Sequence, residues 1–280
     1  WPHDSASTTA TKRFFANGGF FTPDRRARIV ATPYRAPKDR TSQAYPLVLN
    51  TGRLRDQWHT MTRTAKTARL MTHAPEPILE IHPDDANANQ LIDGDLVEVS
   101  TEHGAAVFRV GVDNAQRPGS VFVPIHWTDQ LASRGRIDAL VAAHTDPVSG
   151  QPESKHTPCR VTAFPAAWHA FAVTLSPPRP QDFAYAVLAR TAAGYRVEIA
   201  GETDAEDSDA LAHRLLTPPH ENAAPPALDL LAYHDRSARQ SRYAAFVDDR
   251  LVGLLFVSPR PLSISRGWAA DQLGQVLPPS

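Results

Sequence analysis

Apolar and polar positions alternate through DLVEVS at 95–100 and AVFRVGV at 106–112, the period of a strand with one buried face. Glu102, His103 and Gly104 join the two runs as a hairpin, and Asp93-Gly94 makes the turn before them. AYPLVLN at 44–50 is more uniformly apolar and runs into a polar loop, which predicts a buried strand. GSVFVPIHW at 119–127, entered through Pro118-Gly119, and KHTPCRVTAF at 155–164 predict two more. HPDDANANQ at 82–90 breaks the series. Pro83 sits just inside a short helix there, with Asp84 and Asp85 in the first turn, where negative charge suits the helix dipole. Short strands with one small helix among them predict a closed barrel, because closure leaves no exposed edge.

SPPRPQ at 176–181 interrupts the chain. Beyond it, FAYAVLAR at 183–190 and YRVEIAG at 195–201 predict two strands joined through Ala193-Gly194. Thr203 and Glu206 have capping-box spacing before a helix with Leu211, Leu215 and Leu216 on one face. A Pro-rich loop at 217–226 separates that helix from LDLLAYHD, RYAAFVDD and RLVGLLFVSP, three strands of which the last two join at Asp248-Asp249. GWAADQLG at 267–274 adds a helix. At the other end, residues 1–44 read as an extended arm whose aromatic knot, Phe14, Phe15, Phe20 and Phe21 around Gly18-Gly19, packs on the barrel. The expected organisation is therefore an arm at 1–44, a barrel at 45–165 and a small α+β extension at 166–280.

A chain of 280 residues is long enough for two domains with real cores. Its 29 Lys+Arg against 30 Asp+Glu give no whole-molecule field of the kind that draws a protein to nucleic acid or to an anionic membrane, so neither is an expected partner. Any anion site must be a local concentration of donors. Cys159 is the single cysteine, which excludes an intrachain disulfide, a thiolate zinc site and a cysteine-ligated iron–sulfur cluster built by this chain, and points to a reducing cytosol. No apolar run approaches a membrane span and no signal pattern opens the chain. The start at Trp1 and the finish in VLPPS read as a piece of something longer.

The local concentration of donors is NTGRLRDQWHTMTRTAKTARLMTH at 50–73. A solvated surface loop is the bland account of such a segment. Against it, a strand delivers the chain into Thr51-Gly52-Arg53, where glycine admits close backbone approach and the Arg fork and Thr hydroxyls suit phosphate oxygens. The composition is that of a diphosphate cradle, although no glycine-rich nucleotide fingerprint accompanies it.

YPLVLNTGRLRDQWHTMTRT, PILEIHPDDANANQLIDGDLVEVSTEHGAAVFRV, GSVFVPIHW and DPVSGQPESKHTPCRV, in this order, resemble landmarks of the C-terminal cofactor domain of molybdopterin-guanine-dinucleotide oxidoreductases, specifically bacterial cytosolic assimilatory nitrate reductases. The resemblance covers roughly 10–164 and includes TKRFFANGGFFTPDRRARI before the barrel. It implies a mainly β fold, a six-stranded double-psi barrel closing over one of two pterin dinucleotides that hold a molybdenum atom, followed by the small α+β domain. Position by position it implies that Thr51, Gly52, Arg53, Trp58, His59, Thr60, Met61 and Thr62 contact the cofactor's phosphates and pterin. His126 and Trp127 fall where the family places aromatic residues beside the pterin, and Lys155 matches a cofactor-contacting lysine. Asp138 stands where the family often has Asn, and a carboxylate there would accept from the pterin amino nitrogens without donating.

The resemblance also implies that the cluster cysteines and the molybdenum-ligating side chain lie far upstream. This segment would then contribute binding and burial, would be inactive alone, and would work with the remaining domains of the same polypeptide and an electron-donor protein or domain. Formate dehydrogenase and related molybdopterin enzymes share the barrel motifs and are the nearest alternative; a non-enzymatic double-psi barrel acting as a recognition module is the other. Asp84 and Asp85 are expected as helix-start acids, and Cys159 as an inert buried thiol. His82 and His103 lack partners at metal-ligand spacing, and His169, His213, His220 and His234 form no cluster along the chain.

Overall fold

The computed structural model describes residues 13–203, 207–218 and 227–276. From Pro37 onward the described residues form one compact unit, and those up to Ala36 form another. In the first unit the aromatic knot closes on itself. Phe15 stacks on Phe20 at 4.7 Å between centroids and meets Phe21 edge-on at 5.4 Å, with the Gly18 amide donating to the Phe15 carbonyl at 2.9 Å.

In the second unit, six strands close a barrel. β1 (Leu47–Gly52) is followed by α1 (Ala68–Met71), β2 (Ile78–Ile81), α2 (Pro83–Ala88), β3 (Leu96–Ser100), β4 (Ala105–Val112), β5 (Ser120–Pro124) and β6 (Thr157–Ala163). The order around the barrel is β1-β5-β2-β4-β3-β6; β1 pairs with β5 and β2 with β4 in parallel, and the remaining neighbours are antiparallel. Inward residues of every strand, Leu49, Leu79, Val99, Phe108, Val121 and Cys159 among them, fill the interior. Two sequence features behave as expected. Asp84 and Asp85 occupy the first turn of α2, whose N-cap is the His82 ring, accepting from the Asp84 amide at 3.1 Å. Cys159 is fully buried in β6, and burial pushes its thiol up to about 12.

A second, wholly antiparallel sheet follows: β7 (Trp168–Thr174), β8 (Tyr185–Arg190), β9 (Tyr195–Gly201), then α3 (Ser208–Leu216), β10 (Asp229–Asp235), β11 (Gln240–Val247), β12 (Arg250–Ser258) and α4 (Arg266–Gln272). Its order is β10-β11-β12-β7-β9-β8. Alternation along β7 sends Ala170 and Ala172 to the face covered by Leu211, Leu215 and Leu216 of α3, and Phe171 and Val173 to the face covered by Ala269 and Leu273. The β11–β12 turn forms as expected at Asp248 and Asp249, both with positive φ, the geometry of a two-residue hairpin turn.

Several expectations need correction. β2 and β7 carry no alternation to read: ILEI is only four residues between prolines, and WHAFAVT is buried almost throughout. β1 runs on to Gly52, so Thr51 and Gly52 belong to the strand and not to the loop. The cap of α3 is Asp207, whose side chain accepts from the Asp209 amide at 3.1 Å; an aspartate directly before the helix supplies the cap that Thr203 was expected to supply, and Glu206 lies outside the described residues. The unit boundary falls at 36/37, and residues 37–44 belong with the barrel: Arg160 donates to the carbonyls of Ala44 and Gln43 at 2.7 and 3.2 Å, and His144 pairs with Asp39 at 3.0 Å.

Barrel and sheet share a core. Met61, Met71, Trp127 and Phe164 from the barrel side pack with Tyr185, Val187 and Ala189 of β8, and the Leu188 amide donates to the Leu131 carbonyl at 2.8 Å.

Candidate cofactor site

The segment after β1 would be a floppy polar loop if nothing held it. His126, two residues after the end of β5 and fully buried, holds it from beneath. Its Nε2 accepts from the Leu54 amide at 2.8 Å, and its Nδ1 lies 2.6 Å from the His59 carbonyl, so the ring is neutral with its hydrogen on Nδ1. Burial, with Arg53 and His59 nearby, keeps the imidazole below its ordinary pKa. Further along, the buried Gln57 donates from Nε2 to the Leu70 carbonyl at 2.9 Å. The clamp imposes strained backbone: His59 has φ of +44° and Met61 of +58°. Left-handed conformations of such residues cost about 1–2 kcal/mol each, offset here by the His126 contacts and by the near-complete burial of Met61.

Around this frame the expected residues divide. Thr51 is buried and its hydroxyl donates to the Ser154 carbonyl at 2.6 Å, while Lys155 Nζ donates to the Thr51 carbonyl, so β1 and the segment before β6 meet across more than a hundred residues. Gly52 is required by packing: a Cβ there would meet the Phe122 ring at 2.5 Å. Arg53 is exposed with its guanidinium 5.2 Å from the exposed Trp58 ring, which in turn stands edge-on to His59 at 4.6 Å. His126 and Trp127 turn inward. Both ring nitrogens of His126 serve the loop backbone, and Trp127 is a core residue whose Nε1 finds no partner among the described residues. Asp138 is exposed on a helical turn, Ile137–Ala139, whose following Leu140 carbonyl accepts from Thr101 beside the β3–β4 connection; no hydrogen bond joins Asp138 to the loop among the described residues.

Thr60 and Thr62 open onto a cavity of about 470 Å³ that they share with Met61, Ala65, Lys66, Gln130, Leu131, Arg190 and Tyr195. Its lining contains two cations, two threonines, an amide and a phenol, and no carboxylate. Arg190 and Tyr195 come from β8 and β9. Sequence reasoning missed them because they lie in a segment with no motif, and only the packing of the sheet against the loop brings them here.

A second cavity of about 290 Å³ lies between barrel and sheet and holds a charge network. Glu76 accepts from Arg109 Nε at 2.7 Å and from the Tyr185 hydroxyl at 2.8 Å; Glu198 accepts two bonds from Arg266, each at 3.0 Å, and one from Arg196 at 3.0 Å. Burial opposes ionisation of Glu198, but its Arg266, Arg196 and Arg109 neighbours prevail and hold it below the usual carboxylate range. Burial drives the Tyr185 phenol well above its ordinary value. His169, apparently isolated in sequence, lines this cavity and is kept low by burial and by Arg109. His220 lies outside the described residues. Among the described residues no helix is long and apolar enough to cross a membrane.

Residues 47–158 match the family of the molydopterin dinucleotide binding domain, a span that includes the whole loop, His126, Trp127, Asp138 and Lys155. A nitrate reductase from Klebsiella oxytoca is 42% identical over 186 residues, covering 66% of this chain and 21% of that protein. The chain thus spans about one-fifth of the length of the relative it matches. Acetylene hydratase from Pelobacter acetylenicus is similar over 43% of this chain and 18% of its own at 20% identity, with a TM-score of 0.38, too low for the superposition to carry an argument. Residues 47–158, which carry the first five barrel strands and the clamped loop, thus match the molydopterin dinucleotide binding domain, within a chain similar to part of a nitrate reductase.

Proposed function

We propose that this chain is the part of a molybdenum-dependent nitrate reductase that grips one molybdopterin guanine dinucleotide, working in the cytosol with the remaining domains of the same polypeptide and an electron donor. The observation that carries this reading is a loop already set in its strained form, with Thr60 and Thr62 facing a cavity that has cationic and hydroxyl donors and no carboxylate. Such a donor set fits phosphate oxygens, and a loop held rigid before binding loses little entropy on binding. Thr60 and Thr62 would bind through their hydroxyls, Arg53 and Trp58 would cover the ligand from the solvent side, and Lys155 would fix the end of β1. Oxygen-atom transfer from nitrate is the chemistry the bound molybdenum supplies; the chain's own residues bind, orient and exclude water.

The test is thermal unfolding of the chain in the presence of GDP. A free ligand at a hundred times its Kd stabilises by about 2.7 kcal/mol, or about 5–10 °C for a chain of this size. Arg53→Ala is expected to reduce the protection, and a melting curve indifferent to GDP at millimolar concentration counts against the reading.

A further inference from the structure

The lining of the 470 Å³ cavity has an electrostatic property that the other cavity lacks. Between barrel and sheet, Arg109, Arg196 and Arg266 are each paired with Glu76 or Glu198. In the cavity beneath Thr60, among the described residues, no ion pair engages Lys66 or Arg190. Arg190 is instead held in place by an uncharged neighbour: its NH1 donates to the Tyr195 hydroxyl oxygen at 2.7 Å, and its guanidinium lies 4.8 Å from the centre of that ring. The arrangement aims the cation without neutralising it and leaves the phenol's own hydrogen free to donate.

We infer that this cavity is a phosphate-binding site to which the small sheet contributes half of the charge, with Lys66 and Arg190 as the paired cations and Thr60, Thr62, Gln130 and Tyr195 as neutral donors. The ligand class is an organic phosphate bearing a di-anionic or pyrophosphate group, and that choice rests on the function proposed above. Two unpaired cations facing one concavity repel each other, and an anion between them converts that repulsion into two charge-assisted hydrogen bonds. The sheet then has a role beyond packing: it supplies a wall of the site that the matched domain, ending at residue 158, does not contain.

The experiment is calorimetric titration of the chain with GDP, inorganic pyrophosphate and, as the uncharged arm, guanosine. GDP and pyrophosphate are expected to bind and guanosine to bind much more weakly. Lys66→Gln and Arg190→Gln are each expected to raise the Kd for pyrophosphate about tenfold, the loss of one charge-assisted hydrogen bond, whereas Arg117→Gln on the exposed β4–β5 connection leaves it unchanged. Lys66 is exposed on a short turn, so its variant remains informative even where Arg190→Gln loosens the hairpin. Pyrophosphate affinity within about twofold of the parent in both folded variants, or no saturable pyrophosphate binding at all, overturns the inference. Sensitivity of GDP binding to Arg53→Ala without sensitivity to Lys66→Gln or Arg190→Gln leaves the loop's function standing and removes the sheet from it. The reverse pattern supports this site and removes Arg53.

Discussion

A methyl group at position 52 would lie 2.5 Å from Cε2 of Phe122, on the neighbouring parallel strand. The ring would have to shift, and overpacking of that kind costs about 1–3 kcal/mol. Gly52→Ala is therefore expected to lower the unfolding midpoint of the chain by several degrees, and Phe122→Leu to restore most of the loss; a double variant as unstable as the single one would show that Phe122 is not the obstacle. From sequence, Gly52 looked like a residue that lets a ligand approach. The residue type was legible, but the reason for it was the register of β1 against β5, which no local pattern encodes. Arg53 is the converse case, since its guanidinium lies over Trp58, five positions on, within the loop that sequence had already singled out.

The loop from Arg53 to Thr62 is an element without helix or strand, and its shape depends chiefly on one ring. The unfolded chain takes up a proton at His126 near the ordinary value of about 6.5, whereas the folded imidazole, buried and accepting from Leu54, resists it. Stability from this group is thus fully present above pH 6.5 and is lost as pH falls from there toward the lower folded value. Melting curves between pH 8 and pH 5 are expected to show that decline, and His126→Asn to shallow it. His169, also held low, acts in the same direction, so the slope shrinks without vanishing. An unchanged slope would disconnect His126 from the loop. Hairpins and the polarity of the loop were readable because their signals are local. β7 was not, since a strand packed on both faces has no polar side to announce it.

Over the whole molecule, the barrel and the sheet are joined by the apolar cluster around Trp127 and Tyr185 and by the Glu76 and Glu198 network. Glu76 is buried and serves Arg109 of the barrel together with Tyr185 of the sheet. Breaking such a pair from one side leaves a buried charge uncompensated, at a cost of about 3–5 kcal/mol. Urea titration is expected to show one cooperative transition for both parts, displaced to lower denaturant in Glu76→Gln. Two separated transitions in the parent chain would mean that the junction is not structural.

The sequence by itself determined what depends on neighbours along the chain: the β3–β4 hairpin of the barrel and the β8–β9 and β11–β12 hairpins of the sheet, the short helix opened by Pro83, the burial of Cys159, and a donor-rich segment placed at a strand's end. Tertiary structure alone decided which donors share a cavity. Arg190 and Tyr195 reach Thr60 and Lys66 because the β8–β9 hairpin packs against the loop, and Glu76 meets Tyr185 across 109 positions. Contacts between distant segments follow from the shapes of packed surfaces, and no spacing along the chain records them.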